Sequence, residues 1–111
     1  GLGWIKNLPT FYGTPRKEIV DRFTTALHEL ADQTRPELVI VSAGFDAHAN
    51  DPVGDLGLEI EDFELMTRAV EQVADTHAGG RLVSVLEGGY DPPTLARCVD
   101  AHLRALGAET P

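Results

Sequence analysis

The sequence predicts an α/β fold, a parallel sheet flanked by helices, on three observations. Residues 37–41 (Glu-Leu-Val-Ile-Val) and 82–86 (Leu-Val-Ser-Val-Leu) are short apolar segments, rich in β-branched residues, that run into glycine-containing turns. Around them, apolar residues recur at three- and four-residue steps over stretches of helical length. Strand and helix alternate along the chain, which implies parallel strands joined by right-handed crossovers.

Taken in order, residues 4–8 (Trp-Ile-Lys-Asn-Leu) read as a short strand ended by Pro9, followed by a loop carrying Phe11 and Tyr12. Thr14 is placed to cap a helix with Pro15 at its first position. Ile19, Val20, Phe23, Ala26, Leu27, Leu30 and Ala31 then form one apolar stripe, and Pro36 forces an end by disfavouring helix at Arg35. The strand at 37–41, apolar apart from Glu37, reads as buried on both faces. Residues 47–58 form a long irregular stretch at its carboxyl end, a place where loops commonly carry function. A second helix is marked by Phe63, Met66, Val70, Val73, Ala74 and His77. Its start is weakly signalled, whereas Gly79-Gly80 ends it clearly. After the strand at 82–86, Asp91-Pro92 opens a third helix with Leu95, Cys98, Val99, His102 and Leu106 on one face, closing at Gly107.

Composition bounds what this fold serves. With 111 residues the chain is one domain at most, and its 18 acidic against 9 basic residues give a formal net charge of −9. That balance disfavours direct binding of nucleic-acid phosphates, which needs clustered Lys and Arg, and none clusters here. The single cysteine, Cys98, rules out an internal disulfide and a cysteine-based zinc site, and it suits a reducing cytoplasm. No apolar run approaches the roughly 18–20 residues that a membrane span needs. The chain opens on Gly1 rather than Met, so the expected N-terminus of the protein lies upstream.

In open α/β sheets, ligands collect beyond the carboxyl ends of strands, where Asp46, His48 and Tyr90 fall. Asp46 on such a turn binds a divalent metal, caps a backbone or anchors a loop, and Asx-type anchoring is the commoner use. His48 reads as a solvated loop histidine more readily than as a second ligand, because no third ligand follows at a convincing spacing. His28, His77 and His102 lie on helices and read as packed or half-exposed residues. Tyr90 either packs on the sheet edge or donates its hydroxyl to a developing oxyanion. Gly88-Gly89 permits unusual dihedrals or a close backbone approach, but Pro92-Pro93 removes the N–H donors that a phosphate cradle would use. Glu87 reads as a buried structural acid or a loop anchor, and Cys98 as core.

Together these stretches resemble the zinc-dependent histone deacetylase family and its bacterial amidohydrolase relatives. Ser42-Ala43-Gly44-Phe45-Asp46-Ala47-His48 continuing into Asp51-Pro52-Val53-Gly54 is similar to one family segment, and Leu86-Glu87-Gly88-Gly89-Tyr90 to its glycine-tyrosine loop. Thr94-Leu95-Ala96-Arg97-Cys98 and the opening Asn7-Leu8-Pro9 extend the likeness over the whole chain. Phe45 and Glu87 place it nearer the class II and bacterial branch. The resemblance implies the C-terminal part of an arginase/deacetylase-like fold, with residues 1–111 forming the C-terminal portion of a single domain. It implies that Asp46 is a zinc ligand, that Tyr90 polarises the scissile carbonyl, and that Pro52, Val53, Gly88 and Gly89 line the substrate channel. The substrate would be an acetylated lysine or polyamine. The family's Asp-x-His ligand segment and adjacent histidine pair have no counterpart here, so they are expected upstream, and the chain alone is expected to be inactive. A non-catalytic α/β module using the same loops to hold a partner is the alternative.

Overall fold

The computed structural model describes residues 3–107. Helix α1 (Arg16–Thr34) leads to strand β1 (Val39–Ala43), helix α2 (Ile60–His77), strand β2 (Leu82–Leu86) and helix α3 (Pro92–Ala105). The strands pair in parallel, Val39 opposite Leu82 through Ala43 opposite Leu86, with α2 as the crossover. This is the α/β architecture expected from the alternating pattern.

Three local expectations give way. Residues 4–8 are irregular and mostly exposed, because the described residues offer them no neighbouring strand with which to pair. The first strand lies two residues later than its apolar run, since the sheet extends only as far as β2 is there to pair. It is also covered on one face rather than two. Val41 and Ala43 turn inward to a core of Phe45, Leu58, Phe63 and Cys98, whereas Ile40 is 65% exposed on the opposite face. In β2, Ser84 meets α3 through His102, and Val83 and Val85 share the open face with Ile40.

Helix ends show why periodicity located the helices better than their caps. Pro15, not Thr14, is the N-cap of α1, because the Thr14 hydroxyl is spent on the Phe11 carbonyl at 2.7 Å. Arg35 ends that helix at φ 49° before Pro36, and its N–H reaches the Ala31 carbonyl. The weakly signalled start of α2 is set by Asp62. Its carboxylate accepts the Glu59 N–H at 2.8 Å and, from α1, the Arg16 Nε–H at 2.6 Å. The signal was Glu59-x-x-Asp62, an acidic version of a capping box. Asp91 stands at the N-cap of α3, but its carboxylate accepts from the Thr94 hydroxyl rather than from a helix N–H.

Candidate functional site

The site is built where the two strands end. Parallel pairing continues past them: Glu87 N–H donates to Ala43 O at 2.9 Å and Phe45 N–H to Gly88 O at 2.8 Å. Phe45 turns into the core, 4% exposed, with its ring edge-on to Phe63 at 5.2 Å and to His102 at 5.6 Å. Such aromatic pairs contribute about 0.5–1.5 kcal/mol beyond the area they bury, enough to hold one turn geometry. With Phe45 fixed inward, the next side chain, Asp46, lies over the backbone of Gly88. A Cβ added to Gly88 would stand 2.8 Å from Asp46 Cγ and 3.0 Å from each carboxylate oxygen. Residue 88 is therefore glycine because a carboxylate occupies the space a side chain would need. The close approach expected of Gly88-Gly89 is an approach to Asp46. Gly89, at φ 141°, adopts a conformation that glycine tolerates best.

Among the described residues, Asp46 is held through its main chain, its carbonyl oxygen accepting the Asp55 N–H at 2.8 Å. Its carboxylate oxygens have no protein donor there. A Cβ on Gly54 would overlap that same carbonyl oxygen, so the loop can fold back over the turn only with glycine at 54. The loop is closed at its base where Ala49 N–H meets Leu58 O and Leu58 N–H meets Ala47 O.

Asp51 is the residue that sequence reasoning passed over. It is 6% exposed, and its carboxylate accepts Val53 N–H at 2.9 Å, Gly54 N–H at 3.0 Å and Tyr90 N–H at 2.7 Å. Burial pushes its pKa up. The donors from Gly54, Tyr90 and Val53, with His48 nearby, outweigh that and hold the carboxyl below its usual range. The bonds to Val53 and Gly54 are the Asx-turn habit of an Asp before Pro, legible in Asp51-Pro52-Val53-Gly54. The bond across 39 residues to Tyr90 has no local signal.

The structure thus brings together Asp46 and Gly88, and joins Tyr90 to the loop holding Pro52 and Val53. Tyr90 is 55% exposed and Val53 65%, with Pro52 exposed beside it, so these side chains border open space rather than pack on the sheet edge. Glu87 is exposed rather than a buried acid. An apolar cavity of about 120 Å³ reaches Gly44 and Phe45 of the same turn from the core side, lined also by Phe23, Val41, Met66 and Val70.

The histidines part from the carboxylate. His48 is 2% exposed rather than solvated. Its Nδ1 accepts the Asn50 N–H at 2.9 Å, which leaves the proton on Nε2, facing Glu59 at 3.5 Å, and its ring stacks near Phe63. It fixes the loop and is directed away from ligand duty. His102 is buried between Thr67 and Ser84, 2.8 Å from each hydroxyl. The Thr67 hydroxyl donates to Phe63 O, so it accepts from His102 Nδ1–H, and Nε2 accepts from Ser84. Although Ser84 and His102 are at nucleophile–base distance, the far nitrogen meets a hydroxyl and not a carboxylate, and the group joins β2, α2 and α3 inside the core. Burial lowers the His102 pKa and raises that of Cys98, which is 0% exposed in the core.

As an oxygen donor on a rigid turn, Asp46 fits one position around a zinc ion. A catalytic zinc takes three protein ligands, and the described residues contain no group of three or more His, Cys, Asp or Glu able to hold a metal. Nor, among them, is any helix long and apolar enough to cross a membrane.

Comparison with known proteins follows the same lines. A family model described as the histone deacetylase domain matches residues 1–106. The chain is 39% identical over 107 residues to the type-2 histone deacetylase 1 of Dictyostelium discoideum, covering 96% of this chain and 7% of that protein. It is 36% identical over 106 residues to the histone deacetylase-like amidohydrolase of Pseudomonas aeruginosa, covering 96% and 28%. It is 41% identical over 107 residues to the polyamine deacetylase HDAC10 of Homo sapiens, covering 96% and 15%. The crystal structure of the HDA15 HD domain superposes with a TM-score of 0.81 at 30% identity, over 98% of this chain and 30% of the other. The chain therefore spans less than a third of the length of these relatives. From the family model, the identities and the shared fold, this chain belongs to the histone deacetylase family.

Proposed function

We propose that this chain is the C-terminal portion of a zinc-dependent deacetylase domain that hydrolyses N-acetyl amides on lysine or polyamine substrates. The observation that carries the reading is the Asp46 carboxylate seated over Gly88 at the joined strand ends, two residues from an exposed Tyr90. Asp46 would hold zinc, together with ligands contributed by the upstream part of the same domain. When bound, the zinc would supply Lewis-acid polarisation and a more acidic water. Pro52, Val53, Gly88 and Gly89 would border the channel that admits the acylated amine. Water adds to the acetyl carbon, and its proton passes to a histidine of the upstream part. As the carbonyl oxygen gains charge, the Tyr90 hydroxyl donates a hydrogen bond to it. The C–N bond then breaks as the leaving nitrogen takes a proton from the upstream histidine pair, releasing acetate and the free amine.

The −9 net charge is most simply a solubility feature, and it is compatible with a cationic substrate. Acetylpolyamines and lysine-rich peptides share that property, so it does not divide them. Reaction in the cytoplasm is part of the same proposal. The reading is tested by Tyr90→Phe in the complete domain. Turnover of an acetyl-lysine or acetylpolyamine substrate is expected to fall about 10²–10³-fold, the loss typical of one oxyanion donor, with zinc retained. Turnover close to that of the unmodified enzyme would contradict it, and absence of both zinc and activity from the complete protein would favour the non-catalytic module.

A further inference from the structure

We infer that Asp51 is a positioning residue for this reaction, its carboxylate holding the channel loop and the tyrosine loop in one fixed relation. The inference rests on the proposed function and adds a residue to it. Three main-chain donors converge on this one side chain: Val53 and Gly54 N–H on Oδ2, and Tyr90 N–H on Oδ1. The first two set the backbone that presents Pro52 and Val53 to solvent. The third sets the backbone that presents the Tyr90 phenol.

Tyr90 needs such an anchor. Tyr90 is 55% exposed, so packing within this chain does not fix its ring. Gly88 is tied to the strand ladder through Phe45 N–H, but Gly89, which separates it from Tyr90, is the residue type least able to hold a single backbone conformation by itself. Pro92 and Pro93 after it carry no N–H to tie down that side of the loop. A short, charge-assisted bond to a buried carboxylate is the restraint that remains, and such bonds are about twice as strong as neutral ones. Because one carboxylate serves both loops, a substrate that orders Val53 also orders the phenol. Every partner is a backbone N–H, so the arrangement demands an acceptor-only side chain. Asparagine offers one oxygen and turns its amide donors toward at least one of these N–H groups.

The test is a double-mutant cycle in the complete deacetylase domain, using Asp51→Asn and Tyr90→Phe. Asp51→Asn alone is expected to lower kcat about 10–100-fold, the usual effect of losing an outer-shell orienting partner, with zinc content unchanged and KM moved far less. In the Tyr90→Phe background the same substitution should cost little more, because the group it positions is already gone. Losses that multiply independently would overturn the inference while leaving the proposed function standing. Normal turnover by Tyr90→Phe alone would instead refute the underlying reading. A second measurement needs no variant: hydrogen exchange of the Tyr90 amide in the unmodified protein. Strong slowing relative to an unstructured peptide is expected despite the exposed ring, and exchange at the unstructured rate would overturn the inference.

Discussion

Gly88 shows how one missing side chain sets a site. Its place in a Gly-Gly pair suggests backbone freedom, but its requirement is steric, since a Cβ there would meet Asp46 Cγ at 2.8 Å. Gly88→Ala must displace the carboxylate or spread the two strand ends. Zinc affinity of the complete domain, measured by chelator competition, is therefore expected to drop about 10–100-fold, as when a ligand loses its supporting contact. An unchanged affinity would show that Asp46 reaches the metal from another direction. At this scale the sequence was legible for type and not for partner. Asp46 and Tyr90 stood out by position at strand ends. What Asp46 leans on, and what holds Tyr90, depend on residues about 40 positions away. His48 misled for the same reason: a histidine in a polar-looking loop reads as solvated until Phe63 and Glu59 are known to cover it.

Among the elements, periodicity was the reliable guide and capping the weaker one. The apolar stripes located all three helices, because a buried face recurs every three or four residues whatever the ends do. The strands were placed correctly in order, but their burial was not, because an unbroken apolar run is the same whether one face or two are covered. His102 ties these elements together, linking α3 to Thr67 of α2 and Ser84 of β2. Burial lowers its pKa from the ordinary 6.5, so the unfolded chain takes up a proton in a range where the folded chain does not. Its stabilising contribution is complete above about pH 6.5 and is lost as pH falls through the depressed folded value. Urea unfolding followed between pH 8 and pH 5 should show stability declining below about 6.5. In His102→Phe that part of the decline should be absent, although the variant is less stable at every pH because Ser84 and Thr67 lose a partner. A wild-type decline retained in the variant would assign the effect to another group.

The whole molecule presents a surface that a sequence pattern alone leaves unexplained. Ile40, Val83 and Val85 are half-exposed or more on one face of a two-stranded sheet, and such faces are normally covered in parallel α/β folds. Under the proposed function the upstream part of the domain lies there and along the strand edges, and it brings the groups that Asp46 lacks. The family was legible because two loops in fixed order, Ser42 to Gly54 and Leu86 to Tyr90, carry its likeness. That likeness also led the remaining zinc ligands to be expected upstream, and the described residues contain no group of three or more His, Cys, Asp or Glu able to hold a metal. Asp46 thus carries the central claim, and the most direct test is zinc content by elemental analysis of the complete domain, unmodified and as Asp46→Ala. Stoichiometric zinc in the unmodified protein and its loss in the variant is the predicted result. Full zinc occupancy in Asp46→Ala would contradict the account.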